Sequence, residues 1–417
     1  MDIIACFMEA VMASSQQQSS LKAMFFIGTA WFGMSAFFAF NTASVPMFFN
    51  ARIEQKWIVG LILGTMGGLG IIMSPILGMA SDRIRHRLGR RRPLMILGLP
   101  FIVAVLVAMQ YMPSVALMAL VWPLAYFFHL VIERPWGALM PDIFPPDKRA
   151  TANGVCQVMG GAGNLLYFVV GGYVWARNEE ITFYLVAAVY AAGILAVVFG
   201  IKEKPTHLDP PRTQKRMKVL EYIAGLREHR EVLRYAFACF FWSTGLNGIL
   251  PWLTSFGTQG MGMSVELSFM ILALSVGVVI LLSLPVGMLA DRVGHKRVAR
   301  AGLVIFVVVN VLVVFVESVP LLFILMGIVA VGFCIIMVVP YALLMNLIPE
   351  DRMAELIGVA SISVYLSILV GPTLAGFLID AFGSYRPIFV FAAVCHGLGF
   401  LFLQGVTEKK ATPILAG

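Results

Sequence analysis

The chain has 417 residues, of which 60% are hydrophobic and only 12% are charged, and its mean hydropathy is +0.89. Globular domains average roughly 25% charged residues, so this composition excludes a soluble enzyme and predicts an integral membrane protein. The net charge of +8 does not by itself indicate a nucleic-acid partner. In a membrane protein, the positions of the basic residues along the chain indicate which loops lie on the cytoplasmic side.

Twelve apolar segments, each long enough to cross a hydrocarbon core of about 30 Å, follow one another along the chain. Short polar connectors join them, except for a long basic connector at 202–232 that divides them six and six. The sequence therefore predicts an all-α integral membrane protein with twelve transmembrane helices in two six-helix bundles, 23–201 and 233–406, preceded by a segment at 1–22 and followed by a tail at 407–417. The predicted spans are 23–49, 57–80, 94–112, 115–141, 152–176, 181–201, 233–257, 265–290, 299–317, 320–347, 355–379 and 386–406.

Lysine and arginine concentrate in every second connector. The other connectors hold only Arg52, Lys56, Arg177 and Arg386. Because basic loops stay on the cytoplasmic side, both termini are expected inside, in an N-in and C-in topology. We expect a multi-pass protein of the cell (inner) membrane or of an internal membrane derived from it.

Two pairs of segments repeat between the halves. SPILGMASDR at 74–83 matches SLPVGMLADR at 283–292, each at the end of the second span of its half. Farther on, the run 134–154 aligns with 339–358, with proline on proline and Leu-Met on Leu-Met. The sequence therefore indicates a parallel duplication of a six-helix unit, as transporter folds often contain.

The repeated Gly-x-x-x-Asp-Arg signature resembles the loop motif of the major facilitator superfamily over essentially the whole chain. The first copy is expanded and ends in GRRRP at 89–93, a form similar to sucrose-proton symporters, their animal sugar-carrier relatives and the glycoside-pentoside-hexuronide carriers. The resemblance implies that these loops gate the cytoplasmic side, whereas the alternative is that their arginines only set the topology. The gate residues implied are Gly78, Asp82, Arg83, Gly89, Arg90, Gly287, Asp291, Arg292 and Gly294.

Ionisable side chains inside the spans are concentrated in the fourth one. It carries His129, Glu133 and Arg134, whereas Val338 and Val339 occupy the positions aligned with Glu133 and Arg134 in the second half. Charges at membrane depth are costly enough to be functional candidates. We therefore predict that Glu133 is the proton-coupling residue and that Arg134 pairs with it or anchors substrate, with His129 secondary; the alternatives are a structural ion pair and a packing histidine.

Polar and aromatic residues in other spans are candidates for the wall of a solute cavity. Aromatic rings stack on sugar faces and amides bind hydroxyl groups, so the set suits a polyhydroxylated solute, although any single tryptophan is also explained as an interfacial anchor. Tyr126 and Gly137 replace the acidic and basic residues of the plant sucrose carriers. The cavity candidates are Asn41, Gln157, Asn164, Trp242, Asn247, Tyr341 and Tyr365.

Together these features predict a secondary carrier, not an enzyme, that moves a small polar solute with protons by rocking of its two halves. The expected partners are the solute, protons and a bilayer with anionic head groups, with a monomeric transport unit, no nucleic acid, no cofactor and no metal site. The alternatives are transport of a metal ion, a metal chelate such as iron, an organic acid or a drug-like molecule, and service as a component of a membrane complex. Retention of both loop motifs argues against the last, and the confinement of metal-type ligands to one helix argues against a free ion.

Overall fold

A computed structural model describes residues 2–203, 205–206, 230–347 and 353–407 of the chain. These residues form twelve long helices and no strand, which confirms the predicted all-α fold. Ten of the helices are long and apolar enough to cross a membrane. The helices are α1 (Asp2–Asn50), α2 (Lys56–Arg83), α3 (Arg92–Ala108), α4 (Val115–Ile143), α5 (Pro146–Arg177), α6 (Glu179–Gly200), α7 (Arg230–Ile249), α8 (Val265–Val293), α9 (His295–Val313), α10 (Val319–Leu347), α11 (Met353–Phe382) and α12 (Pro387–Gln404).

Several helices begin at polar caps that the sequence places just before an apolar run. The side chains of Ser114, Asn178 and Ser264 accept hydrogen bonds from the backbone N–H groups three residues on, at 3.3, 2.9 and 3.2 Å. Each cap satisfies an N–H group that the first turn leaves without a helical partner. These caps fix the starts of α4, α6 and α8.

Two helices depart from regular α-geometry. In α5 a π-turn covers Tyr167–Gly171, and α7 is extended beyond Ile249 by a 3₁₀ turn at Leu250–Trp252, a short α-turn at Leu253–Ser255 and a π-turn at Phe256–Gly260. Pro251 lies in the 3₁₀ turn and has no N–H group for an α-helical hydrogen bond. The irregular stretch of α7 therefore begins where the chain removes a helical donor.

The contacts between residues divide the chain into two compact units. The first unit consists of Met1–Asn41 and Ile72–Thr213, and the second consists of Thr42–Ile71 and Gln214–Gly417. In the first unit α3 packs on α4 and α6; in the second, α7 packs on α11 and α12, and α10 packs on α8 and α9. The ends of α1 and α2 that lie next to the connector between them thus belong to the second unit.

The same helix crossing recurs within each unit. A Cβ atom added to Gly193 of α6 would lie 2.5 Å from the Thr29 carbonyl oxygen of α1. In the second unit, a Cβ atom added to Gly399 of α12 would lie 3.2 Å from the Trp242 backbone nitrogen of α7. Glycine lets the two backbones approach closely at each crossing. The duplication detected in the sequence thus appears as repeated packing.

Candidate functional site

An ion pair lies within the transmembrane helix α4 of the first unit. The guanidinium Nη2 of Arg134 is 3.1 Å from Oε2 of Glu133, and the two side chains are 29% and 20% exposed. Consecutive residues of a helix project about 100° apart, yet these long side chains reach each other beside Pro135. The expected Glu133–Arg134 ion pair is therefore present. A carboxylate held this way can accept a proton and thereby release its partner, which is the chemistry that proton coupling requires.

His129, one turn before Glu133, lies in a closed aromatic core. Its ring is 0% exposed, and its Nδ1 atom is 3.0 Å from the hydroxyl group of Tyr190 on α6. The rings of Phe37 and Phe38 from α1 lie 5.2 and 4.8 Å from its centroid. This position favours the packing alternative for His129.

Two stacked tryptophans join α1 to α4. One of them, Trp136, lies three residues after Glu133 in the chain. The rings of Trp31 and Trp136 lie 4.8 Å apart and almost parallel, and the Trp136 indole N–H donates to the Ile27 carbonyl oxygen at 3.1 Å. Trp136 follows Glu133 by three residues, so both lie on neighbouring positions of the same helical surface. This contact fixes the α4 surface that carries Glu133.

The polar cavity candidates of the first unit differ in their solvent exposure. Asn41 of α1 is buried at 8% exposure, Asn164 of α5 is half-buried and Gln157 of α5 is exposed. Their proposed role as lining residues stays a prediction.

A cavity of about 400 Å³ lies within the second unit, between α7, α10 and α11. It contains three of the residues that the sequence proposed as cavity lining, namely Trp242, Asn247 and Tyr341. Tyr365 is not among the described lining residues, because its ring lies against α2, where a Cβ atom added to Gly70 would be 2.3 Å from it. The described lining consists of Tyr235, Cys239, Trp242, Ser243, Leu246, Asn247, Leu250, Phe333, Ile336, Met337, Pro340, Tyr341, Leu344, Ala360, Ser361, Val364 and Ile368.

The walls of this cavity are mostly apolar, and the described lining contains no charged side chain. The hydroxyl group of Tyr235 donates to the Pro340 carbonyl oxygen at 2.8 Å, which ties α7 to α10. The Trp242 ring stands edge-on to the Tyr235 ring at 5.6 Å. Such a cavity combines aromatic surface with a few neutral polar groups, a composition found in sites for small molecules.

A second cluster of charges lies at the end of the first unit where α2 meets α3. Arg91 is 5% exposed and bridges three partners: Asp82 at 2.7 Å, Asp142 at 3.0 Å and the Ser81 hydroxyl group at 2.7 Å. Arg90 also reaches Asp142, at 3.2 Å. The predicted gate residues Asp82 and Arg90 thus belong to one network, whose central member is Arg91.

Glu203, just beyond α6, holds the start of α3 in this cluster. Its carboxylate accepts hydrogen bonds from the backbone N–H groups of Arg90, Arg91 and Arg92 at 2.7, 3.0 and 2.9 Å. A carboxylate at this position satisfies free helical N–H groups and interacts favourably with the positive end of the helix dipole. Glu203 was not identified from the sequence because residues 202–232 were assigned to the connector. An acid directly after a predicted span was the available signal.

Gly89 is required in this turn. Its φ angle is +96°, a conformation that favours glycine, and an added Cβ atom would lie 2.3 Å from the Glu203 side chain. Gly78, by contrast, has open space where a Cβ atom would be, and Arg83 is exposed. The expanded loop therefore depends on its later residues more than on the first glycine of the motif.

The corresponding turn of the second unit is built differently. Gly294 has a φ angle of +104°, but the Asp291 side chain is 73% exposed and pairs at 3.3 Å with His295, the first residue of α9. Arg292 is exposed, and a Cβ atom added to Gly287 would meet only Val338, at 3.9 Å. The two copies of the motif therefore share their turn but differ in their ion pairs among the described residues.

Relatives of known name match parts of the chain. Solute carrier family 45 member 4 of Mus musculus is 24% identical over 202 residues, which cover 42% of this chain and 26% of that protein. A putative metabolite transport protein of Haemophilus influenzae is 29% identical over 165 residues, covering 39% and 38%. Multidrug resistance protein MdtG of Salmonella arizonae is 27% identical over 186 residues, covering 44% and 45%. The matches thus span between 26% and 45% of the length of these relatives.

Two solved structures share the fold along nearly the full chain. A bacterial homolog of the human lysosomal transporter Spinster, in an inward-facing and unoccupied conformation, has a TM-score of 0.73 at 15% identity, covering 93% of this chain and 97% of its own. The nucleoside transporter NupG has a TM-score of 0.76 at 13% identity, covering 93% and 99%. At these identities the likeness concerns the fold.

The sequence profile of the Major Facilitator Superfamily matches residues 23–283 and 270–416. The matched residues include the α4 ion pair, the cavity and both copies of the loop motif. The helices form a multi-pass integral membrane protein, and the chain belongs to the major facilitator superfamily of transporters.

Proposed function

We propose that the protein is a secondary transporter that moves a small neutral polyhydroxylated solute, with a sugar as the first candidate, together with protons by alternating access. The observation that carries this proposal is the Glu133–Arg134 ion pair within a transmembrane helix. Buried ion pairs are weak sources of stability, because the cost of removing two charges from water offsets their attraction. A pair retained at membrane depth is therefore better explained by a charge change during transport.

The chemistry of the cycle follows from this pair. A proton entering from the side of higher proton activity binds to the Glu133 carboxylate, which removes its negative charge and breaks the ion pair with Arg134. The two protonation states then differ in their preferred conformation, since they carry different net charges and therefore have different costs of burial. Solute binding in the second unit is coupled to the same conformational change, and reciprocity of linkage requires each event to favour the other.

The cavity of the second unit supports a neutral solute. Its described lining offers aromatic and neutral polar groups, including Trp242, Asn247 and Tyr341, with no charge to neutralise an anion. The motif ending in GRRRP, which resembles sugar-proton carriers, supports the same class. An organic acid is the second candidate, because Arg134 is the cation that could bind a carboxylate once Glu133 is protonated.

One end of the second unit contains a hydrogen-bond network that, in our proposal, forms a closure that opens during alternating access. The Asp380 carboxylate of α11 accepts hydrogen bonds from the backbone N–H groups of Lys56 and Trp57, the first residues of α2, at 2.8 and 2.9 Å. Beside it, the Asn50 amide donates to the Tyr385 hydroxyl group at 2.8 Å. Burial raises the pKa of Tyr385 above its usual value, which keeps the hydroxyl group protonated as a hydrogen-bond donor.

Tyr385 in turn donates to Gln259, at 2.8 Å. The network thus joins the end of α1, the start of α2, the extension of α7 and the end of α11. In our proposal these contacts hold one state of the cycle and separate in the other. Asp380 acts as an N-terminal cap supplied by a different helix.

We expect Asp380→Ala to open this end more often. Loss of a helix N-cap costs about 1 kcal/mol, or roughly a five-fold shift of a two-state equilibrium. The measurement is the rate at which a membrane-impermeant maleimide modifies Ser255→Cys, a fully buried position, in a chain whose five native cysteines are replaced by serine. The rate should rise about five-fold on that scale.

Two matched variants control this measurement. Asp380→Asn should react at a rate between those of the parent and Asp380→Ala, because its one amide oxygen can accept from only one of the two backbone N–H groups. Glu54→Ala removes an exposed acid from the same connector and should change nothing. Equal rates in Asp380→Ala and the parent would refute the role of this closure.

The proposed function is tested by uptake into proteoliposomes with an imposed inward proton gradient, across a panel of sugars, organic acids and chelated metals. We expect the gradient to stimulate uptake of a sugar at least several-fold, with loss of the stimulation when a protonophore collapses the gradient. Uptake of organic acids alone would transfer the assignment to the second candidate. Uptake of a sugar that ignores the gradient would remove proton coupling from the proposal.

A further inference from the structure

The side chain of Asn247 is held by hydrogen bonds on one side only. Its amide nitrogen Nδ2 donates to the Ser243 carbonyl oxygen at 2.9 Å and to the Ser367 hydroxyl oxygen at 3.1 Å. An amide NH₂ group has two hydrogens, so these two bonds use its full donor capacity. The amide oxygen Oδ1 makes no hydrogen bond to any described residue, and Asn247 lines the cavity.

The partners of Asn247 also fix which end of its amide is nitrogen. The Ser243 carbonyl oxygen can only accept, so an oxygen in that position would meet another acceptor. The Ser367 hydroxyl group already donates to the Val364 carbonyl oxygen at 2.6 Å, and therefore it too presents a lone pair to Asn247. Both neighbours require the nitrogen, and a reversed amide would lose both bonds.

Ser367 supplies this orientation from outside the cavity. Its side chain is 0% exposed, and it is absent from the described lining. The hydroxyl group relays a hydrogen bond from α7 to the backbone of α11. Ser367 is therefore a positioning residue for the amide of Asn247.

We propose that the oxygen of Asn247 is a fixed hydrogen-bond acceptor that selects solutes presenting a hydroxyl or N–H donor to it. This inference rests on the proposed function in one respect, since it takes the cavity of the second unit as a solute site. A solute that places an ether oxygen, a fluorine or a carboxylate next to the Asn247 oxygen brings two hydrogen-bond acceptors together, and they repel each other. The described lining supplies no charge that would offset that repulsion.

The same geometry explains selection between classes of solute. A polyol or sugar carries donors around its whole surface, so one of its hydroxyl groups can meet Asn247 while a ring face lies on an aromatic side chain such as Trp242. Carboxylates carry only acceptors at neutral pH. The acceptor therefore favours hydroxylated molecules and disfavours organic acids that carry no hydroxyl group, which form part of the second candidate class above.

Tryptophan fluorescence of the purified full chain in detergent measures binding, because Trp242 lies in the cavity wall. The probes are D-glucose and sucrose, followed by the monodeoxy, monofluoro and mono-O-methyl derivatives of the one that binds. In the wild-type protein we expect one ring position at which every substitution weakens binding about 10- to 100-fold, the usual consequence of leaving a polar group unpaired. Asn247→Leu should reduce that difference to about two-fold or less, since no acceptor remains to discriminate.

Ser367→Ala provides a milder variant that preserves the cavity wall. It should keep binding of the parent probe within a few-fold but lower the discrimination at the same ring position, because the amide is free to rotate. Ser275→Ala is the matched control: its hydroxyl group also donates to a backbone carbonyl of its own helix, at 3.2 Å, but outside the cavity. It should leave the discrimination unchanged.

Two separate measurements test the Asn247 acceptor and the proton coupling. Discrimination that disappears in Asn247→Leu, in a protein that shows no gradient-driven uptake, would support the acceptor and refute proton coupling. Gradient-driven uptake with the same discrimination in wild type and Asn247→Leu would refute the acceptor and leave coupling intact. Absence of fluorescence change with both glucose and sucrose would overturn the inference that the cavity selects hydroxylated solutes.

Discussion

Glu133→Gln should abolish proton-driven uptake while solute exchange across the membrane continues. Glutamine is nearly isosteric and can still donate or accept hydrogen bonds near Arg134, but it cannot take up or release a proton. The variant keeps residue 133 permanently neutral, so the solute can still cross the membrane in both directions. The proton gradient can no longer drive transport, because residue 133 does not bind or release a proton. We expect the gradient-stimulated part of uptake to fall at least ten-fold, which corresponds to about 1.4 kcal/mol or more of lost coupling.

The measurement pairs two assays on the same proteoliposomes, namely gradient-driven uptake and counterflow of labelled against unlabelled solute. Glu317→Gln, which changes an exposed glutamate in the connector before α10, is the matched control and should leave both assays unchanged. A purely structural ion pair gives a different pattern, because its loss would weaken both assays together. Normal gradient-driven uptake in Glu133→Gln would contradict the coupling role directly.

The fold could be read from the sequence because a membrane imposes strong and local signals. Each span needs roughly twenty apolar residues, so the twelve helices stand out without knowledge of their neighbours. The ion pair of α4 was detectable for the same reason, since Glu133 and Arg134 break an apolar run and the repeat has valine in their place. Trp242, Asn247 and Tyr341 were visible as polar or aromatic residues in apolar segments.

Partners that lie far apart in the chain could not be read this way. Ser367 supports Asn247 across 120 residues, and Asp380 caps Lys56 across 324 residues. Nothing in the sequence around Ser367 or Asp380 indicates these distant partners. His129 illustrates the converse problem: helical spacing places it near Glu133, but only the packing of α1 and α6 shows that its ring is enclosed.

The internal repeat did not predict the side-chain contacts of its two copies correctly. It aligns Asp82 with Asp291 and predicts the same role for both, yet Asp82 contacts a buried arginine and Asp291 contacts only a neighbouring histidine among its described partners. The difference arises from the expansion of the first loop, which adds Arg90 and Arg91 and the turn at Gly89. Both copies contain a glycine with a positive φ angle, whereas the ion pairs to a buried arginine occur, among the described residues, in the first copy.

Arg91→Met should produce a large loss of stability. Removing one partner of a buried ion pair typically costs about 3–5 kcal/mol, because the remaining charges stay behind uncompensated. Asp82 and Asp142 are each 28% exposed, and Asp142 keeps its ion pair with Arg90, so water and Arg90 offset part of the penalty. We therefore expect a cost of about 2–4 kcal/mol, seen as a thermal unfolding midpoint several degrees lower in detergent.

Two further arginine variants separate the effect of geometry from that of charge. Arg91→Lys keeps the charge but cannot reach Asp82, Asp142 and Ser81 together, since an ammonium group lacks the planar fork of a guanidinium, and should lie between wild type and Arg91→Met. Arg85→Met removes an exposed arginine from the same loop and should change stability by no more than about 0.5 kcal/mol. An equal loss in Arg85→Met and Arg91→Met would mean that the loop acts through its total charge. A loss confined to Arg91 would establish that one buried guanidinium holds α2, α3 and α4 together, so the expansion of the motif stabilises this end of the first unit as well as setting its topology.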